Sequence, residues 1–256
     1  MTPRIIFEDY HILVVYKPSG MAVETARITE TDLLSYLKQY LYEKQISKSP
    51  KEKGQAGNPP YLAMVHRLDQ PVEGLLVFAK TPFAAKELSR QIQDNRMKKR
   101  YLAAVSIDNK VSGKPTSSDA KDMKKEQGSK QLLEDYLLKD GRTNTSRIVA
   151  KETKGAKKAV LFYELAAVRE QDGIAVAEIE LITGRHHQIR VQMAHAGMPL
   201  LGDFKYGDEA SLEKSSRLQI KQAALCACQL EFFHPKTGKP LFFQIEPEKE
   251  IMKIGK

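Results

Sequence analysis

The chain has 256 residues, 41% of them hydrophobic and 29% charged, and its 41 Lys and Arg outnumber 32 Asp and Glu for a formal charge of +9. This is the composition of a folded protein with a substantial core, which excludes a disordered chain, a collagen or a coiled coil, and the positive excess suits a polyanionic partner. The longest apolar runs, Leu75 to Ala79 and Ala223 to Ala227, fall well short of the roughly 20 residues that cross a bilayer, and the first nine residues lack the basic and apolar parts of a secretory signal. The expectation is therefore a cytoplasmic protein without membrane contact. Cys226 and Cys228 are too close for an ordinary disulfide and lack a second ligand pair for zinc, so they read as small buried side chains.

Ile12 to Tyr16 reads as a buried strand, stopped by the turn Lys17-Pro18-Ser19-Gly20. A helix follows, with Thr31 as its cap and Leu33, Leu34, Leu37 and Leu41 on one face through Tyr42. Residues 44–60, rich in Lys, Pro and Gly, read as an exposed insertion. Leu62 to Val65 and Leu75 to Ala79 read as strands flanking a polar segment. Thr81 and Pro82 cap and begin a helix whose inner face holds Leu88 and Ile92 and which fades at Asn95. The cluster Arg96, Lys98, Lys99 and Arg100 directly precedes a strand, Tyr101 to Val105.

The polar stretch 108–130 holds no aromatic residue and reads as a second, mobile insertion. Strands Ala159 to Val168 and Ile174 to Ile182 are joined through Gln171-Asp172-Gly173 as a hairpin. A helix from about His187 to Ala196 ends at Gly197, ahead of Pro199. Strands Gln229 to Phe233 and Leu241 to Ile245 flank the connection His234 to Gly238. Hairpins without a regular βαβ repeat favour α+β architecture with a mixed, largely antiparallel sheet, here as a single domain over 1–256.

Two segments at strand ends combine a carboxylate, arginines and imidazoles with turn residues: His66-Arg67-Leu68-Asp69 running to Gly74, and Thr183-Gly184-Arg185-His186-His187-Gln188-Ile189-Arg190. As residue types alone they fit either a reactive site or surface ion pairs. Together with Gly74-Leu75-Leu76-Val77-Phe78-Ala79-Lys80, the first resembles the signature of the RluA-type RNA pseudouridine synthases. Ile5 to Gly20, ending in Val15-Tyr16-Lys17-Pro18-Ser19-Gly20, resembles that family's opening strand and Lys-Pro-x-Gly turn, and Lys99-Arg100-Tyr101-Leu102-Ala103-Ala104-Val105 resembles its basic-Tyr strand. Ile182 through Gly207 is similar to its Thr-Gly-Arg-x-His-Gln-Ile-Arg segment. Four ordered motifs across Ile5 to Pro247 are far more specific than any one.

The resemblance implies an isomerase that acts on uridine in structured ribosomal or transfer RNA without cofactor or metal, as a monomer. It implies Asp69 as the catalytic carboxylate, attacking the anomeric carbon of the ribose or removing a proton from the neighbouring carbon. Arg185 would be the guanidinium that keeps Asp69 charged. Tyr101 would lie on a flipped target base, Arg67 would fill the vacated stack, and Ile182 would pack against the base edge. His66 would orient the loop by hydrogen bonding. Arg96, Lys98, Lys99, Arg100, Arg190 and Lys205 are the expected phosphate contacts.

The chain departs from the family pattern at Val72-Glu73, where Thr-Ser is usual, at His186, and over 108–130, and because the resemblance begins almost at residue 1 the expectation is a catalytic domain without the preceding RNA-binding module. Those departures keep open a catalytically silent RNA-binding protein on the same fold. A metal hydrolase built on His66, Asp69 and His187 lacks the helical His-x-x-x-His spacing, and Gly113-Lys114-Pro115 lacks the hydroxyl residue of a nucleotide-binding loop.

Overall fold

The computed structural model of the chain describes residues 2–26, 30–48, 59–107 and 129–253. Most of the expected insertion at 44–60, nearly all of that at 108–130, and Gly113-Lys114-Pro115 lie outside the described residues. The chain divides internally into two compact units, one of residues 1–97 with 229–245 and one of residues 98–228 with 246–256.

In the first unit, strands β1 (Arg4–Glu8), β2 (Ile12–Lys17) and β4 (Glu73–Ala79) pair antiparallel in that order, and the short β3 (Ala63–Met64) pairs with β4. Every residue of β2 and β4 is buried, which explains why both read as unbroken apolar runs instead of alternating ones. Ile12, Val14, Leu75, Val77, Leu88 of helix α2 (Pro82–Gln93), Leu230 and Phe232 share one core. The Thr81 hydroxyl accepts from the Ala84 N–H at 3.2 Å with Pro82 in the first turn, as the sequence predicts, and Asn95 ends the segment at φ 53°.

Helix α1 (Leu33–Lys48) differs from expectation at both ends. Its cap is Asp32, not Thr31: the Asp32 carboxylate accepts from the backbone N–H groups of Ser35 and Thr25 at 2.7 and 2.9 Å. The helix runs past Tyr42 to Lys48 because its polar end has partners. Lys44 and Tyr40 both donate to Glu8 of β1, at 2.6 and 2.9 Å. Burial alone would raise the Glu8 pKa, but hydrogen bonds from Lys44, Lys80 and Tyr40 outweigh it and hold the carboxylate at about 2. The strand β10 (Leu225–Phe233) ends in this unit, pairing antiparallel with β11 (Pro240–Gln244).

The second unit is built on strands β5 (Lys98–Ser106), β6 (Gln131–Asp140), β7 (Thr145–Ile148), β8 (Lys157–Arg169) and β9 (Ile174–Leu181), paired antiparallel in the order β5-β9-β8-β6-β7. Gly173, at φ 62°, turns the β8–β9 hairpin. Tyr101, Ile179 and Tyr163 stand side by side on the buried face, as do Ala103, Ala177 and Leu165; the intervening residues, Arg100, Glu180 and Phe162, form the other face.

Among the elements that escape the sequence reading are β6, β7 and helix α4 (Glu209–Arg217). The doublets Leu132-Leu133 and Leu137-Leu138 match neither period, and pairing with β8 decides their state. Helix α4 buries Ser211 and Ser215 in place of an apolar stripe and is capped by Asp208, which accepts from the Ser211 N–H at 2.8 Å. Helix α3 (Gln188–His195) lies within the expected span. Cys226 and Cys228 are buried and form no disulfide among the described residues. No described helix is long and apolar enough to cross a membrane.

Candidate active site

The loop between β3 and β4 carries His66, Arg67 and Asp69; Arg67 is exposed and Asp69 half-buried. It is held by the Lys17–Gly20 turn through main-chain atoms. The Lys17 ammonium, fully buried, donates to the carbonyls of Met21, Pro18 and Gln70 at 2.7, 3.0 and 3.2 Å. Gly20 N–H also donates to the Gln70 carbonyl at 2.9 Å, Ser19 Oγ donates to the Pro71 carbonyl at 2.7 Å, and Val72 N–H closes a turn onto the Asp69 carbonyl at 3.0 Å. A buried cation is tolerated when its donors are used in this way. The sequence reading placed Lys17 in the turn but missed this function; the signal was a lysine directly after a buried strand.

His66 Nε2 accepts from the Val77 N–H at 3.2 Å, so the ring proton belongs on Nδ1 in the neutral form. The contact links the His66 ring to the main chain of β4. Glu73, which replaces the family's usual hydroxyl residue, is 1% exposed and accepts from Tyr16 OH at 2.8 Å through Oε2. Its Oε1 has no hydrogen-bond partner among the described residues. The departure thus places a buried carboxyl at the start of β4, bonded to the neighbouring strand β2.

In the second unit, Tyr101 is 5% exposed on the buried face of β5, and Arg100 is exposed on the opposite face beside Glu180. Lys99 is half-buried, and burial holds its pKa below the usual lysine value. The turn that follows β9, Ile182 to His187, is organised by the buried amide of Gln188. Gln188 Oε1 accepts from Thr183 Oγ1 at 2.8 Å and Arg185 N–H at 2.9 Å, while Nε2 donates to Val160 carbonyl at 3.1 Å and Gln192 Oε1 at 2.9 Å. Ile182 is half-buried, its N–H donating to the same Val160 carbonyl at 3.2 Å. Arg185 is exposed, with Nε donating to the Lys158 carbonyl at 2.8 Å.

Beyond the turn, the rings of His186 and His187 stack at 3.7 Å. His186 bonds Ser146 Oγ and Asn144 Oδ1, and His187 Nδ1 bonds Tyr206 OH at 2.7 Å.

Arg190 requires a correction. The sequence reading made it a phosphate contact, but it is 3% exposed, and its Nε and Nη2 each lie 2.6 Å from a carboxylate oxygen of Asp203. A guanidinium committed to a buried bidentate pair is part of the scaffold. Lys205, another expected phosphate contact, donates to the Asn144 carbonyl at 2.9 Å.

The family described as RNA pseudouridylate synthase matches residues 11–195, a span that includes the Asp69 loop, the Tyr101 strand and the Arg185 turn. The chain belongs to that family. It is 31% identical to the ribosomal large subunit pseudouridine synthase D of Zymomonas mobilis, over 99% of this chain and 72% of that protein. It is 30% identical to the dual-specificity RNA pseudouridine synthase RluA of Yersinia pestis, over 95% of this chain and 98% of that protein. These relatives make the chain an RluA-type pseudouridine synthase, an isomerase. The fold agrees: human RNA pseudouridylate synthase domain containing 4 superposes with a TM-score of 0.66 at 20% identity, covering 96% of this synthase and 89% of that chain. Human RNA pseudouridylate synthase domain containing 1 gives 0.64 at 19%, covering 96% and 84%.

Proposed function

We propose that this synthase converts specific uridines of structured ribosomal or transfer RNA to pseudouridine, with Asp69 starting the reaction, Arg185 as its counter-charge and the target nucleotide flipped out of its stem. The relatives that support this substrate class are named for the large ribosomal subunit and for dual specificity toward RNA. The observation that carries the catalytic assignment is the half-buried carboxylate of Asp69 on a loop whose adjacent Gln70 carbonyl is tied to a buried ammonium. Such a loop holds its geometry without substrate, and preorganisation of this kind is what positions a catalytic group.

The chemistry needs no redox step. The bond between ribose C1′ and ring N1 breaks, the detached uracil turns, and a new bond forms from C1′ to C5, whose proton is then lost. A carboxylate begins this by attacking C1′ or by removing a proton from C2′. The Arg185 terminal nitrogens have no partner among the described residues, which leaves its bidentate edge for a carboxylate. Tyr101 supplies a flat ring for the extruded base, and the exposed Arg67 fills the gap left in the stack at a site where flipping costs a few kcal/mol.

Asp69→Asn should abolish pseudouridine formation on ribosomal and transfer RNA transcripts while RNA binding persists. Turnover near that of the wild type would remove Asp69 from this role. A wild-type protein that binds these RNAs but forms no pseudouridine would favour the catalytically silent reading.

A further inference from the structure

Lys99 and Gly184 form a pair that the fold itself leaves unexplained. Lys99 lies on the same face of β5 as Tyr101, two residues or about 7 Å along the strand. Among the described residues it forms no hydrogen bond and no ion pair, although it is half-buried and burial alone depresses its pKa. The charged neighbours are otherwise placed. Lys98, Arg100 and Glu180 belong to the opposite face, the Lys158 ammonium pairs with Glu134, and the Arg185 Nε is taken by the Lys158 carbonyl.

Gly184 is exposed, and its φ lies outside the left-handed region, so its backbone does not require glycine. A Cβ at this position would meet one atom, Lys99 Nζ, at 4.0 Å. The missing side chain therefore keeps open the approach to an ammonium that lacks a counter-charge. Such a cation is completed by an incoming anion, and the anion of a nucleotide is its phosphate.

We propose that Lys99 holds the phosphate of the nucleotide whose base lies on Tyr101, with Gly184 as the opening through which that phosphate reaches it. This rests on the RNA-modifying reading above and adds to it the position of the substrate's backbone. The contact is a charge-assisted hydrogen bond in a partly desolvated setting, worth about tenfold to a hundredfold in affinity. Burial lowers the pKa of free Lys99 and a bound phosphate favours its charged form, so affinity falls as pH rises into the alkaline range.

The test is binding of unmodified ribosomal and transfer RNA transcripts to the full chain, across salt concentration and from pH 7 to 10, with pseudouridine formation followed on the same RNAs. Lys99→Met should weaken binding about tenfold to a hundredfold and make the salt dependence shallower by about one unit. Lys99→Arg should restore affinity and flatten the alkaline fall, because a guanidinium does not titrate there. Gly184→Ala, whose methyl group meets ordinary van der Waals contact, should keep the wild-type melting temperature yet bind more weakly.

Wild-type affinity, salt slope and pH profile in Lys99→Met would overturn the proposal, as would unchanged binding with lost turnover, which would put Lys99 at the base instead. If the wild type converts neither RNA, the reading it rests on falls with it. If the wild type converts RNA and Lys99→Met matches it throughout, only this inference falls.

Discussion

The Asp69 loop and the Arg185 turn solve the same problem with different chemistry. Each is an irregular segment whose backbone is fixed by one buried polar side chain. In the first unit it is the Lys17 ammonium, donating to three carbonyls. In the second it is the neutral Gln188 amide, which both donates and accepts. An ammonium can only donate, so it suits a loop that turns its carbonyls inward; an amide suits a turn that offers a hydroxyl, an N–H and a carbonyl together. The charged device is the more demanding one, since a buried cation is stable only while all its partners are kept.

The largest effect should therefore come from Lys17→Met, which removes the donor to the Pro18 and Met21 carbonyls and cuts the side-chain tie to the Gln70 carbonyl in the loop of Asp69. We expect a loss of about 3 kcal/mol in denaturant unfolding, together with a slower rate of pseudouridine formation. Equal stability of this variant and the wild type would refute the charged staple. Gln188→Ala should cost less, about 1–2 kcal/mol, because neutral hydrogen bonds contribute less than charged ones. It should lower turnover more than RNA binding, by loosening Arg185; a variant that lost binding and kept turnover would contradict the positioning role.

Acid should separate the two units with the smallest effect. Helix α1 is fastened to β1 by Glu8, whose pKa is depressed in the folded protein from 4.5 to about 2. A depressed folded value means that the stabilisation is fully present above the unfolded value and is lost as pH falls from about 4.5 toward 2. Gln188 does not titrate. Hydrogen exchange between pH 6 and 3 should show α1 amides losing protection while the Arg185 amide, held by Gln188, keeps its own, and Lys44→Met should shrink that difference. Parallel loss at both places would show that Glu8 does not fasten α1.

How much could be read beforehand follows from where each interaction acts. Thr81 and Pro82 announced helix α2 because capping is decided within four residues. Gln171-Asp172-Gly173 announced the β8–β9 hairpin because the turn needs a residue with positive φ, which Gly173 supplies. Asp32 took the cap expected of Thr31 because its carboxylate also reaches the Thr25 N–H, a contact outside the helix. The polar α4 and the doublet-bearing β6 were invisible because neither has a period of its own.

Among the candidate site residues, the motif order identified the loop of Asp69, the turn of Arg185 and the strand of Tyr101. Residue type alone made Arg190 and Lys99 look alike, two cations in motif segments. Burial separates them: one is sealed against Asp203, and the other has no counter-charge among the described residues. By itself, then, the sequence determined the family, the α+β class and those elements whose caps, turns and apolar runs are complete within a short stretch of chain. Only the tertiary structure decided which polar side chains are committed to the scaffold, because a charge's role depends on the partner that folding brings to it from a distant part of the chain.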